Sequence, residues 1–188
     1  MWGDGMKTLI LNGSPRINGD TNSLIKELVG NIGGEFMVVN AYRSNIAPCI
    51  DCRYCWDNRG SCAIKDEMQD VYEYIQQCDN ILIASPVYFS EVTGKLLDVA
   101  SRLQAYYCSG VFGDDKCIDK PKKGAAILVG GGDGDYTPAL STIKTLLDRM
   151  NCTDIRETVV CRNTNDRPAS DDKDTIVKIR HIAEFFGL

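Results

Sequence analysis

The chain has 188 residues, 44% hydrophobic and 25% charged, with 21 Lys and Arg against 26 Asp and Glu for a net charge of −5. That is ordinary composition for one folded domain, residues 1–188, and it excludes a disordered or fibrous chain. The acidic excess argues against a nucleic-acid partner, and no segment approaches the ~18 apolar residues of a membrane span. The opening Met1-Trp2-Gly3-Asp4-Gly5 lacks the basic head and apolar body of a signal peptide, so a cytoplasmic protein is expected. Nine cysteines, an odd number in a domain too large to need staples, read as reduced thiols or metal ligands.

In chain order, Lys7-Thr-Leu-Ile-Leu-Asn12 reads as a buried strand ending at Gly13-Ser14-Pro15. A helix follows, with Asp20 and Thr21 as N-cap candidates, Leu24, Ile25, Leu28, Val29 and Ile32 at helical spacing, and Gly33-Gly34 as its stop. Residues 35–41 form a second strand, 45–62 a cysteine-rich loop and 66–78 a helix carrying Met68, Val71, Tyr72 and Ile75. The third strand is 80–85. Residues 93–107 predict one helix with Leu96, Leu97, Val99, Ala100 and Leu103 on its apolar face, followed by a polar loop with Gly110, Gly113 and Pro121. Strand four spans 124–129, a helix 138–150, strand five 155–161 and a closing helix 171–186. Five apolar strands alternating with five amphipathic helices predict a parallel sheet covered on both faces.

In such a sheet, ligands bind where loops leave the carboxyl ends of the strands and helix N-termini offer free N–H groups. Three loops qualify: 12–21, 85–93 and 130–138. The first carries Ser14, Thr21 and Ser23 hydroxyls and the Arg16 guanidinium at the start of a helix, a set suited to phosphate, although a plain capped turn would read the same way. It matches neither a Walker loop nor Gly-x-Gly-x-x-Gly. The second, Ser85-Pro-Val-Tyr-Phe-Ser90, sets two aromatics beside a fixed backbone, as a flat ligand needs. The third, Gly130-Gly-Gly-Asp-Gly-Asp135, leaves room for a planar group to approach. Each alone could be core or turn; their coincidence on one edge points to a site.

Gly13-Ser-Pro-Arg16 with Thr21, Ala84-Ser-Pro-Val-Tyr-Phe89 and the glycine-rich third loop together resemble the flavodoxin-like NAD(P)H-dependent FMN reductases, especially the iron–sulfur flavoprotein branch. The resemblance implies an α/β, flavodoxin-like three-layer fold with a five-stranded parallel sheet in the order 2-1-3-4-5. It implies FMN phosphate at Ser14, Arg16, Asn18, Gly19, Thr21, Asn22 and Ser23, and the flavin ring held by Pro86, Val87, Tyr88 and Phe89 beside Gly130, Gly131 and Gly132. The activity implied is hydride transfer from NAD(P)H to the flavin and onward to a quinone, free flavin or other small acceptor, in a homodimer or homotetramer. An electron-transfer flavoprotein that takes electrons from ferredoxin-like partners is the alternative. Asp20 stands where many relatives have Asn, and Asp133-Gly-Asp-Tyr-Thr-Pro138 replaces the usual Gly-Gly-Gln-Glu.

Within the cysteine loop, Cys49, Cys52, Cys55 and Cys62 are spaced C-x2-C-x2-C-x6-C. Two successive x2 gaps let one turn of backbone offer three thiolates to a 4Fe-4S cluster, whereas a zinc ribbon pairs two knuckles across a longer gap. Thiols kept without any metal are the other reading. Cys78, Cys108, Cys117 and Cys152 read as ordinary buried or loop thiols. Cys161 begins a C-x5-R pattern ending at Arg167, but its loop lacks the glycine and electropositive surround of a cysteine phosphatase. The only histidine, His181, is expected on an exposed helix face.

Overall fold

The computed structural model describes residues 5–112 and 117–187; Met1 to Asp4 and Gly113 lie outside the described residues. Among the described residues six parallel strands form the centre: β1 (Lys7–Asn12), β2 (Glu35–Asn40), β3 (Asn80–Pro86), β4 (Lys122–Val129), β5 (Cys152–Ile155) and β6 (Val159–Cys161). Their order is β2-β1-β3-β4-β5, with β6 also paired to β4. The helices are α1 (Asp20–Val29), α2 (Tyr54–Asp57), α3 (Met68–Gln77), α4 (Gly94–Ser101), α5 (Gln104–Phe112), α6 (Thr137–Arg149) and α7 (Lys173–Gly187), with a 3-10 turn at Ala169–Asp171.

Strand alternation sends successive side chains to opposite faces and so builds two cores. Leu9, Leu11, Ile81, Ile83, Ala126 and Leu128 face one side and pack with residues of α3 to α6, among them Met68, Ile75, Leu96 and Ile143. Ile10, Leu82, Ala84, Ala125 and Ile127 face the other and meet Leu24 and Leu28 of α1 and Ile179 and Phe186 of α7. The three-layer fold and the strand order are as expected.

Four local expectations are corrected. The single strand predicted over 155–161 is two short strands, because the polar triplet Arg156-Glu157-Thr158 leaves the ladder between them while the Arg156 N–H still reaches Gly124 O at 2.9 Å. The helix predicted over 93–107 breaks at Arg102 into α4 and α5, and α5 runs on through Gly110. Its apolar periodicity passes through the break, so only the tertiary partners of Arg102 reveal it. The cysteine loop holds a further helix, α2, entered from Arg53 in the left-handed region. Asp20 is not a cap: Gly19 holds the N-cap position, and Asp20 Oδ1 accepts the Ala169 N–H at 2.7 Å.

Candidate active site

β1, β3, β4 and β6 all end at one edge, where the loops after them meet. The loop after β1 is braced by side chains from β1, α1 and the segment after β2. Asn12 Oδ1 accepts the Ser14 N–H at 2.9 Å, Asn12 Nδ2 donates to Asn22 Oδ1 at 2.8 Å, and Arg43 Nη2 donates to Pro15 O at 3.1 Å. Gly13 is required here, since a Cβ would stand 2.8 Å from Ser85 Oγ and 3.0 Å from Thr93 Oγ1. Thr93 Oγ1 donates to Gly13 O at 2.8 Å, which ties the first loop to the second.

Ser14, Arg16, Gly19 and Thr21 then line a cleft of ≈ 140 Å³ with Pro86, Val87, Tyr88 and Gly131. Ser14 and Thr21 are buried at its base, while the Arg16 guanidinium is exposed and pairs with no carboxylate among the described residues. The first amides of α1 have no intrahelical acceptor, so the cleft combines hydroxyls, N–H groups and a cation. Asp20 borders it, but its tie to Ala169 draws one carboxylate oxygen toward the backbone. Asn18, Asn22 and Ser23 do not line the cleft. Asn18 is exposed, Asn22 braces the loop, and the Ser23 hydroxyl donates to Asp20 O at 2.7 Å within its own helix.

A second cleft of ≈ 310 Å³ adjoins the first through Val87 and Gly131, and is lined by Phe89, Ser90, Gly130, Gly132, Tyr136 and Arg162. Residues 88–91 form a tight turn, with Tyr88 and Glu91 exchanging backbone hydrogen bonds of 2.8 and 3.0 Å. Its two central residues, Phe89 and Ser90, have φ of 51° and 65°. A left-handed Phe is strained, and this one presents its whole ring to solvent at 105% exposure. The N–H groups of Val87 and Gly130 are spent on Val129 O and Cys161 O, each at 2.8 Å. The amides of Phe89, Ser90, Gly131 and Gly132 have no acceptor among the described residues. A Cβ on Gly131 would lie 2.9 Å from the Asn165 side-chain amide, so any side chain there would require Asn165 to move. These features fit a flat ligand bearing a phosphate: an anion seat at one end, and open amides, aromatics and glycines at the other.

Sequence reasoning placed Tyr136 in the third loop without singling it out, and missed Thr164 and Asn165 in the first cleft and Arg162 in the second. The signal was the strand ending at Cys161, whose following loop reaches the same edge. Arg162 stacks over the Tyr136 ring at 4.4 Å. Asp135 Oδ1 accepts both the Thr137 hydroxyl and its N–H, and these bonds hold the Asp135 carboxyl below its ordinary pKa.

Residues 6–166 match the family described as NADPH-dependent FMN reductase. The chain belongs to that family. FMN is therefore its cofactor and NAD(P)H its reductant, in an oxidoreductase. The chain is similar to an iron–sulfur flavoprotein of Methanocaldococcus jannaschii, 32% identical over 142 residues that cover 73% of this chain and 69% of the relative. A second iron–sulfur flavoprotein of that organism is 33% identical over 94 residues, 48% of each chain. In fold it resembles the NAD(P)H:quinone oxidoreductase from Methanothermobacter marburgensis, with a TM-score of 0.72 at 15% identity over 95% of this chain and 94% of the other.

The reductase's four spaced cysteines gather around one small cavity between the cysteine loop and the start of α5. Cys49 and Cys52 are exposed, Cys55 and Cys62 half-buried. Among the described residues no three His, Cys, Asp or Glu side chains yet stand close enough to hold one ion, so a cluster would need the loop to draw in around the cavity. The donor set fits such a group: four thiols and a buried guanidinium, Arg102, share the lining. Burial, then the neighbouring Cys108 thiol, push the Cys55 thiol up to about 12, so metal binding there displaces a proton. Cys108 is thus a thiol beside the quartet that its sequence position does not announce. Cys161 is buried and its thiol is raised by that burial, while Arg167 pairs with Asp172 at 2.6 Å, so the C-x5-R pattern assembles no phosphatase site. His181 is exposed, as expected, and lines a separate cavity beside α7.

Proposed function

We propose that the two joined clefts seat FMN, with its phosphate at Ser14, Arg16, Gly19 and Thr21 and its ring between Pro86, Val87, Tyr88 and Phe89 and the Gly130–Gly131–Gly132 loop. The observation that carries this reading is the unpaired Arg16 beside the free amides of α1, one cleft away from an aromatic turn with open N–H groups. Bound there, FMN supplies hydride acceptance from the nicotinamide and onward electron transfer. The chain's own residues orient and neutralise: Arg16 meets the phosphate charge, Gly131 lets the ring lie against backbone, and Arg162 offers the entering nucleotide a cation. No side-chain acid or base is needed. The acceptor is a small molecule such as a quinone or free flavin. NADH or NADPH should bleach the flavin absorbance within seconds in stopped flow. No response to either, with rapid reduction by ferredoxin, would replace this reading with electron transfer.

The second reading has an observation of its own, the cysteine quartet around one cavity, which supports a 4Fe-4S cluster at Cys49, Cys52, Cys55 and Cys62 and exchange with a ferredoxin-like partner. Exposed Trp56 and Phe112, stacked at 4.5 Å, support self-association into a homodimer or homotetramer, which light scattering would measure. No described helix is long and apolar enough to cross a membrane. All nine cysteines are free thiols, which supports a reducing compartment such as the cytoplasm.

A further inference from the structure

The second cleft, of ≈ 310 Å³, is bounded by the glycine loop and by the segment after β6. Backbone bonds fix the two together. The Gly130 N–H donates to Cys161 O at 2.8 Å, the Asn163 N–H to Gly132 O at 3.2 Å and the Thr164 N–H to Gly130 O at 3.1 Å. Arg162 lies between these anchors, and its guanidinium stacks over the Tyr136 ring with Cζ 4.4 Å from the centroid. Stacking occupies a face of the guanidinium and leaves its edge, where the N–H donors lie, free to bind.

Among the described residues Arg162 is the one cation in this lining, and it pairs with no carboxylate. The carboxylate that shares the lining, Asp135, is engaged elsewhere. Its Oδ1 accepts the Thr137 N–H at 2.9 Å and the Thr137 hydroxyl at 2.7 Å, where the start of α6 favours a negative charge. The Arg162 charge also lowers the Asp135 carboxyl, but by less than these bonds do. Val87, Phe89 and Val160 supply apolar surface beside the cation. In a chain of net charge −5, a stacked guanidinium without a counter-ion calls for an anion from solution.

We propose that Arg162 selects the electron acceptor: the cleft takes a flat aromatic acceptor bearing an anionic substituent, of the class of quinone carboxylates and sulfonates, with its ring against Phe89 and Val160 and its substituent on the Arg162 edge. The inference rests on the flavin seat proposed above, because Val87 and Gly131 join this cleft to it. NAD(P)H, one proton and the quinone become NAD(P)+ and the hydroquinone. The quinone gains two electrons and two protons; the nicotinamide loses two electrons and one proton, and solvent supplies the other. A guanidinium offers paired N–H groups to a carboxylate or sulfonate while lying flat on Tyr136, whereas an ammonium supplies charge alone.

The test isolates the oxidative half-reaction. Holoprotein is photoreduced anaerobically without nucleotide, then mixed in stopped flow with 1,4-naphthoquinone-2-sulfonate or with neutral menadione, for wild type, Arg162→Gln and Arg162→Lys. The readout is the ratio of second-order rate constants, sulfonate over menadione, so intrinsic differences between the quinones cancel when proteins are compared. That ratio should fall about fivefold in Arg162→Gln, as loss of an exposed ion pair predicts, and by less in Arg162→Lys. In wild type it should shrink as salt rises from about 0.02 to about 0.5 M. Calorimetry with redox-inert naphthalene-2-sulfonate reads binding alone, and its Kd for the oxidised holoprotein should rise about fivefold in Arg162→Gln. A ratio in Arg162→Gln within about twofold of wild type, or unchanged naphthalene-2-sulfonate binding, overturns the role of Arg162 and leaves the flavin seat standing. An unchanged ratio together with slower reduction by NADPH also overturns it, and assigns Arg162 to the nucleotide. Wild type that takes up no FMN when supplied with it overturns both.

Discussion

Replacing Asp66 with Asn strands the Arg102 cation beneath the cysteine loop. Oδ2 of Asp66 lies 2.7 Å from Nη1 of Arg102, with the two side chains 8% and 0% exposed. The same carboxylate accepts the Ala47 N–H at 2.9 Å and the Met68 N–H at 3.1 Å, so it joins the loop to the start of α3. Removing one partner of a buried pair costs about 3–5 kcal/mol, against under about 1 kcal/mol for an exposed pair such as Lys95 with Asp98. At about 2–4 °C per kcal/mol for a domain of this size, Tm should fall by about 6–20 °C. Burial alone would raise the Asp66 carboxyl, but its bonds to Arg102, Ala47 and Met68 outweigh burial and hold its pKa below the ordinary 3.8. A carboxyl lowered on folding contributes stability in full above its unfolded pKa, and that share disappears as pH falls through the folded value. The gap between wild type and Asp66→Asn should therefore begin to close as pH falls to about 4 and disappear only below the folded value. Thermal unfolding followed by circular dichroism from pH 3 to 7, at matched flavin content, measures both effects. A loss under about 1 kcal/mol at pH 7, with parallel pH profiles, would refute the reasoning.

Arg16→Ala should weaken FMN about tenfold and riboflavin less than about twofold in fluorescence titrations, because an exposed charge-assisted bond reaches only the phosphate; equal losses remove Arg16 from the phosphate seat. Gly13→Ala places a Cβ 2.8 Å from Ser85 Oγ and should cost about 1–3 kcal/mol in urea unfolding. An unchanged midpoint would mean that the loop shifts freely. Phe89→Gly relieves a left-handed residue and should stabilise the apoprotein by up to about 1 kcal/mol while weakening riboflavin and FMN alike. If riboflavin binds as before, the ring does not lie at Phe89.

Most of the architecture was legible because it depends on local period. Apolar runs such as 7–12 and 80–85 between helices of 3.6-residue period admit a doubly covered parallel sheet, and such a sheet leaves its ligand loops on one edge. Two of the features that escaped notice share one physical cause, partners distant in the chain. The break at Arg102 follows from Asp66, 36 residues away. Asp20 abandons its capping role for the Ala169 N–H, 149 residues away. The polar triplet 156–158 interrupts a strand whose apolar ends looked continuous.

The amino-acid sequence by itself determined the fold class, the strand order through family resemblance, and the residue types at the first and second loops, since hydroxyl, guanidinium, glycine and cysteine spacing are written along the chain. Only the tertiary structure decided which of those residues face a common cleft. It set Ser14, Arg16 and Thr21 against Tyr88 and turned Asn22 and Ser23 to bracing the loop and its helix. It brought Thr164, Asn165 and Arg162 to the same edge, and it set the buried Arg102 into the lining of the cavity that the four spaced cysteines share. The reason is that side-chain direction and hydrogen-bond satisfaction depend on the packing of distant segments, which no local pattern encodes.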